Sequence, residues 1–291
     1  MIKIGFSAYN EEGKFIKNNY KRRIERFHKT SELLFYKQGH ECYEALSNND
    51  IKAIAVSLEN LPTTLPEGIT IAALTGRTRC EVCLLTFPPK NYSDALFNLP
   101  ENPLIWSPVD IISLQFKEII PTTTFKKALI GEIITEMEYV ADIRNRPLED
   151  LDFTQHDIDE MLNGGLVSQT YLTGNHKIND GNLDMVSFHP SEITSLPGAG
   201  VVAFLAKADD LETRRFFKDI HNEECGEIIN VERKLKKMFN DKDIAAHCIK
   251  DEDGNYHLYA AAIVNGQLKR CQISQSTFFE LAEKGYSYLV G

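Results

Sequence analysis

A chain of 291 residues is long enough to hold more than one compact unit. Its 43% hydrophobic and 25% charged residues are ordinary for a globular protein with a core, and a net charge of −10 without a long basic run argues against nucleic acid as a partner. Six cysteines in a chain of this length make no disulfide framework, no stretch approaches about 18 uninterrupted apolar residues, and the start MIKIGFSAYN lacks the n- and h-regions of a secretory signal, so a cytoplasmic protein without a membrane span is expected.

Ile2 to Phe6 alternates as a short first strand. Lys14 to Thr30 spreads Phe15, Ile16, Tyr20, Ile24 and Phe27 among charges as a helix does, which makes Lys21, Arg22, Arg23 and Arg26 its solvated face. A second helix is predicted from His40 to Asn48, ended by Asn48-Asn49-Asp50. Ile51 to Val56 is a nearly continuous apolar run, the mark of a strand buried on both faces. Pro62 and Pro66-Glu67-Gly68 punctuate the chain before a strand from Ile69 to Leu74. Strands alternating with helices predict an α/β layer.

The middle of the chain is harder to read. Leu104-Ile105-Trp106 reads as a strand, Lys126 to Val140 mixes strand and helix signals, and Asp157 to Leu162 reads as a short helix closed by Gly164-Gly165. Near Asp209 a new unit begins: helices at Asp210 to Ile220 and Glu224 to Phe239, strands on either side of the Asp253-Gly254 turn, and a last helix from Gln275 to Lys284. This is the pattern of a small α+β domain. No internal repeat is evident.

Several residue groups invite a chemical reading. Cys80-Glu81-Val82-Cys83 has zinc or dithiol spacing but no second ligand pair, so the cysteines read as small apolar fillers of a strand. His40 with Cys42, and His221 with Cys225, read as scattered helical residues, and no metal site is expected. Gly198-Ala199-Gly200 lacks the third glycine of a phosphate loop and reads as a hinge or turn. Glu149, Asp150, Asp152, Asp157, Asp159 and Glu160 read as a solvated acidic face.

Three ordered segments carry a resemblance. Glu44-Ala45-Leu46, continuing through Ile54 to Thr63 and Leu65-Pro66-Glu67-Gly68-Ile69, is similar to the signature "ALL…DIAVHSxKDxPTxLPEGL" of the porphobilinogen deaminase (hydroxymethylbilane synthase) family. Ser195 to Gly200 with Ala208-Asp209-Asp210, Glu212-Thr213-Arg214 and Val231-Glu232-Arg233, and then Leu281 to Gly285, resemble later motifs of that family. The resemblance implies two α/β domains like those of periplasmic binding proteins, with a cleft between them, and a C-terminal α+β domain. Their expected bounds are residues 1–88 with 190–207, 89–189, and 208–291. It also implies condensation of four porphobilinogens on a cysteine-linked dipyrromethane.

The residues that would do this chemistry are largely replaced. Asn60 stands at the position of the family's catalytic aspartate and supplies no negative charge. Glu59 replaces a lysine and Val56 a histidine, while Ser57 is retained. The cofactor cysteine position falls on Asp241 or Asp243, so no cofactor is expected, and Cys248 lies some residues too far along. The arginines that would grip substrate carboxylates fall on Ser7, Ile111 and Ile112, whereas Arg77 matches a family arginine. The leading expectation is a divergent family member that is catalytically silent or repurposed. An active synthase, and a ligand-binding or protein-interaction module, are the alternatives. The expected partner is a small molecule in the cleft; the oligomeric state is left open.

Overall fold

The computed structural model describes residues 1–8, 10–25, 30–88, 99–154, 157–158, 161–172, 176–242 and 244–291. Arg26, Phe27, Asp159, Glu160 and Asp243 lie outside them. The chain is mixed α/β, with two five-stranded sheets and one three-stranded sheet. It divides into two compact units, Met1–Cys80 with Leu196–Gly291, and Glu81–Ser195. No helix among the described residues is long and apolar enough to cross a membrane.

The first unit opens with β1 (Ile2–Phe6), α1 (Asn10–Tyr20), β2 (Ser31–Phe35), α2 (Gly39–Ser47), β3 (Ala53–Ser57) and β4 (Ile69–Leu74). The chain then builds the second unit from β5 (Val82–Thr86), β6 (Leu104–Ser107), α3 (Asp110–Ile119), β7 (Thr124–Lys127), α4 (Ile130–Arg144), β8 (Gly164–Ser168) and β9 (Asp184–Ser187). It returns through β10 (Val202–Lys207), α5 (Leu211–Lys218), α6 (Glu223–Met238), β11 (Ile244–Lys250), β12 (Tyr256–Val264), β13 (Gln267–Gln275) and α7 (Leu281–Val290).

The two large sheets share one plan. The first has the order β2-β1-β3-β10-β4 and the second β7-β6-β8-β5-β9. In each, the first three strands in the chain's βαβαβ run are parallel, and a strand from another part of the chain enters antiparallel beside the third. A βαβ crossover hides its sheet between helices, which is why β3 is apolar on both faces and reads so plainly in the sequence. The plan repeats without any sequence repeat, because hydrophobic pattern rather than residue identity specifies it.

Three elements differ from the sequence expectation. The first helix ends at Tyr20 and gives way to a π-helical turn over Lys21–Glu25. Gly164 and Gly165 do not close a helix; they begin β8. A Cβ at Gly164 would lie 2.8 Å from the Leu85 carbonyl oxygen, and one at Gly165 would fall onto Ile133 Cγ2 of α4, so both glycines serve close packing. Finally, β13 runs through Gln275 and the last helix starts only at Leu281, since the alternating pattern of the edge strand outlasts its hairpin.

The three-stranded sheet β11-β12-β13 packs one face on α6 and α7. Cys248, Leu258, Ala260 and Leu281 join Ile229 and Leu235 in a core continuous with Leu58, just after β3, and with Leu74 and Leu205 of the first large sheet. A charged side chain sits within this core. Glu232 of α6 is fully buried and accepts from Arg77 Nη2 at 2.8 and 2.7 Å, from the Cys248 N–H at 2.6 Å and from the Gly198 N–H at 2.8 Å. Arg77 Nη1 donates in turn to the Cys248 carbonyl at 3.0 Å. Removing one partner of such a pair strands the other charge out of water. Glu232→Ala is therefore expected to lower stability by about 3–5 kcal/mol, read as an earlier urea midpoint at unchanged slope; a loss below about 1 kcal/mol would contradict this role.

Candidate functional site

In an open α/β sheet the strand order reverses where successive crossovers go to opposite sides, and the ends of the flanking loops then splay apart. In the first unit that point lies between β1 and β3, whose carboxyl ends are Ser7 and the Leu58–Asn60 turn. β10 begins beside them, antiparallel, with Val202 opposite Ser57 and the Leu58 N–H donating to the Val201 carbonyl at 2.9 Å. Gly198, at φ 86°, lies against this turn: a Cβ there would stand 2.9 Å from Leu58 Cγ and 3.2 Å from the Glu59 nitrogen. The Gly198-Ala199-Gly200 segment is thus a turn fitted to the β3 end.

Six polar side chains converge on this turn. The Asn60 amide donates to Glu12 Oε1 at 2.9 Å, joining the β3 turn to the first turn of α1. Ser57 is fully buried and its hydroxyl hydrogen-bonds the Glu59 side chain. From α6, Lys236 donates to the carbonyls of Glu59 and Leu61 at 3.2 and 3.3 Å, and Arg233 to those of Leu61 and Pro62 at 3.2 and 2.7 Å. Burial, reinforced by the nearby Glu12 carboxylate, pushes the Glu59 carboxyl up to about 7, against the opposing pull of Lys236 and Ser57. Burial also raises the Glu12 carboxyl, partly offset by the hydrogen bond from Asn60. Burial lowers Lys236.

The other residues singled out in the sequence fall elsewhere. Ser7 follows β1 and is half-buried at the same strand ends. Arg77 is committed to Glu232. Asp241, at φ 64°, is exposed after α6 and accepts from the Thr63 N–H at 3.3 Å. Cys248 is buried in β11, where burial pushes its thiol far up. Ile111 and Ile112 face the core from α3. Cys83 is buried within β5 at 3.3 Å from the Ser187 hydroxyl, and burial raises its thiol to about 11. Sequence reading missed Glu12, Arg233 and Lys236. Glu12 was recoverable, as a carboxylate in the helix turn that follows the first strand; nothing local marks the two cations.

The second unit has its own reversal point, between β6 and β8. There the Ser168 hydroxyl donates to Thr170 Oγ1 at 3.1 Å and the Gln169 N–H to the Glu81 carbonyl at 2.9 Å. No charged pair comparable to Glu12 and Glu59 is found there among the described residues.

The Glu59 shift has a consequence for stability. A folded-state value raised above the ordinary carboxylate range means that the folded chain holds a proton the unfolded chain has released. The associated stability is present in full below that range and is lost as pH rises through about 7. Glu59→Gln is expected to flatten this pH dependence and to make the protein more stable than the parent at pH 8, by about 1–3 kcal/mol. Urea melts at pH 5 and pH 8 check it; equal pH slopes for parent and variant would contradict it.

No family model and no curated protein matches the chain. Among solved structures it is similar to YhfZ from Shigella flexneri, at 9% identity over 83% of this chain and 97% of that one, with a TM-score of 0.34. It is similar to the reduced OxyR regulatory domain from Pseudomonas aeruginosa, at 13% identity over 75% and 94%, TM-score 0.43. It is also similar to the methionine-binding protein MetQ, at 15% identity over 82% and 95%, TM-score 0.40. Likenesses this distant carry no argument about mechanism. The resemblance to porphobilinogen deaminase is corrected: no family model and no curated protein supports it, and none of the three similar structures named is of that family. The tetrapyrrole chemistry expected from it falls with it. The strings that carried the resemblance include an apolar AIAVS run, a Leu-Pro-Glu-Gly turn and a Pro-Gly turn, and these suit a buried strand and its flanking loops whatever the family.

Proposed function

We propose that the chain is a small-molecule-binding module rather than a catalyst of tetrapyrrole synthesis. Its parts are two periplasmic-binding-protein-like α/β domains, one built on each five-stranded sheet, and a small α+β domain, 208–291. The shared strand order of the two large sheets supports this reading, since ligands of open α/β sheets bind at the carboxyl ends of the strands where that order reverses.

The observation that carries it is the group Glu12, Ser57, Glu59 and Asn60 at the reversal point of the first unit. Two carboxylates held half out of water are costly to the fold, and a ligand donating hydrogen bonds or carrying a cationic end repays that cost by satisfying them. Ser7, the next group along the strand ends, adds a hydroxyl that can donate or accept.

Thermal-shift screening of the full chain tests this, with amines, amino acids, sugars, nucleosides and carboxylic acids as the panel. A donor-rich or cationic member is expected to raise the melting temperature; at a hundred times its dissociation constant it adds about 2.7 kcal/mol. Asn60→Ala and Glu12→Gln are expected to abolish that shift while remaining folded. A shift that survives both substitutions, or one produced by carboxylic acids alone, overturns the assignment.

A further inference from the structure

Away from that site, three side chains of the small sheet are joined in one line. The Ser274 hydroxyl lies 2.7 Å from His257 Nδ1, and His257 Nε2 lies 2.9 Å from Asp251 Oδ2. Ser274 is exposed on the edge strand β13, His257 is half-buried on β12, and Asp251 follows β11. Asp251 is fixed by its own loop: the Asn255 N–H donates to Oδ1 at 2.7 Å and the Asn255 amide to Oδ2 at 3.3 Å. The hydrogen bond to His257, with that from the Asn255 backbone, holds the Asp251 carboxyl at about 2, so it is ionised and accepts only. Nε2 is therefore the donor of that hydrogen bond, and in the neutral imidazole so oriented Nδ1 is the acceptor toward the serine hydroxyl.

The hairpin explains why the pair is so close. Asn265 and Gly266 both have positive φ, 52° and 74°, as a two-residue type I′ loop requires. Val264 and Gln267 close that loop as a hydrogen-bonded pair, and pairs alternate from there along the register. His257 opposite Ser274 is then a pair without mutual backbone hydrogen bonds, the kind whose side chains stand nearest. By the same alternation the Ser274 N–H points to the outer edge of β13, where no further strand pairs among the described residues.

We propose that Ser274, His257 and Asp251 form a nucleophilic acyl-transfer site for small carboxylic esters. The Ser274 oxygen attacks the ester carbonyl as Nδ1 takes the hydroxyl proton, and Asp251 steadies the imidazolium. The outward Ser274 N–H is placed to donate to the oxyanion, as the nucleophile's own amide does in serine hydrolases. The carbon–oxygen bond to the leaving group breaks and the imidazolium protonates the departing alkoxide. Water then attacks the acyl-serine and gives its proton to Nδ1; the bond from the acyl carbon to the Ser274 oxygen breaks, that oxygen takes the proton back from Nδ1, and the acid leaves, so that ester and water become acid and alcohol.

The test uses the full chain and 4-nitrophenyl acetate. Steady nitrophenolate release is expected, with an acetyl group mapped to Ser274 in peptides from acid-quenched samples. Ser274→Ala is expected to lose the adduct and about a hundredfold of the rate. His257→Gln is expected to fall comparably, and Asp251→Asn by a smaller factor, with circular dichroism unchanged in each. Hydrolysis by Ser274→Ala at the parent rate, or an adduct confined to lysines, overturns the proposal and leaves the three residues as a cross-strand tie.

Discussion

The first unit is organised around the buried carboxylate of Glu232. Its two oxygens take four hydrogen bonds from three separate stretches of chain: the Arg77 guanidinium, the Gly198 amide and the Cys248 amide. Arg77 lies in the segment by which the chain leaves this unit, and Gly198 in the segment by which it returns. One helical side chain therefore fixes both crossings and the first strand of the small sheet. A charge buried this deeply is tolerated because its acceptor positions are filled. Hydrophobic isosteres would pack there as well, but they would not specify where Gly198 sits.

That placement matters for the candidate binding group. Gly198 presses directly on the Leu58–Glu59 turn, where a Cβ would stand 2.9 Å from Leu58 Cγ and 3.1 Å from the Leu58 carbonyl carbon. The same helix that carries Glu232 sends Arg233 and Lys236 to the carbonyls of Glu59, Leu61 and Pro62. The turn after β3 is thus held from two sides, and Glu59 is kept partly out of water near Glu12 as a result. Its raised carboxyl is a product of this packing rather than of any neighbour in sequence. Residues held on rigid elements in an uncomfortable state are the ones a ligand can relieve.

The small sheet follows different rules. Its strands are joined by short hairpins, so its register is set by turn geometry, and register alone decides that His257 faces Ser274. The large sheets are joined by long crossovers, and their residues meet through topology. Asn60 and Glu12 are 48 positions apart and Glu232 and Arg77 are 155 apart. Contacts of the first kind can be derived from a turn motif and a count; contacts of the second kind cannot.

The amino-acid pattern determined the mixed α/β class, the buried strand within the Ile51 to Val56 run, found at Ala53–Ser57, and the turn at Asp253-Gly254, because burial on both faces and turn chemistry leave local marks. It misled where one local string suits several purposes: Gly164-Gly165 looked like a helix end and serves a close strand-to-helix contact, and motif-like loops suggested a family that the comparisons do not support. The tertiary structure alone decided that Arg77 pairs with Glu232 in the core, that Asp241 ties down the loop at Thr63, and that Glu12, Glu59 and Asn60 come together. Each of those outcomes depends on a side chain from a distant element arriving within about 3 Å, the reach of a hydrogen bond, and sequence spacing carries no information about that distance.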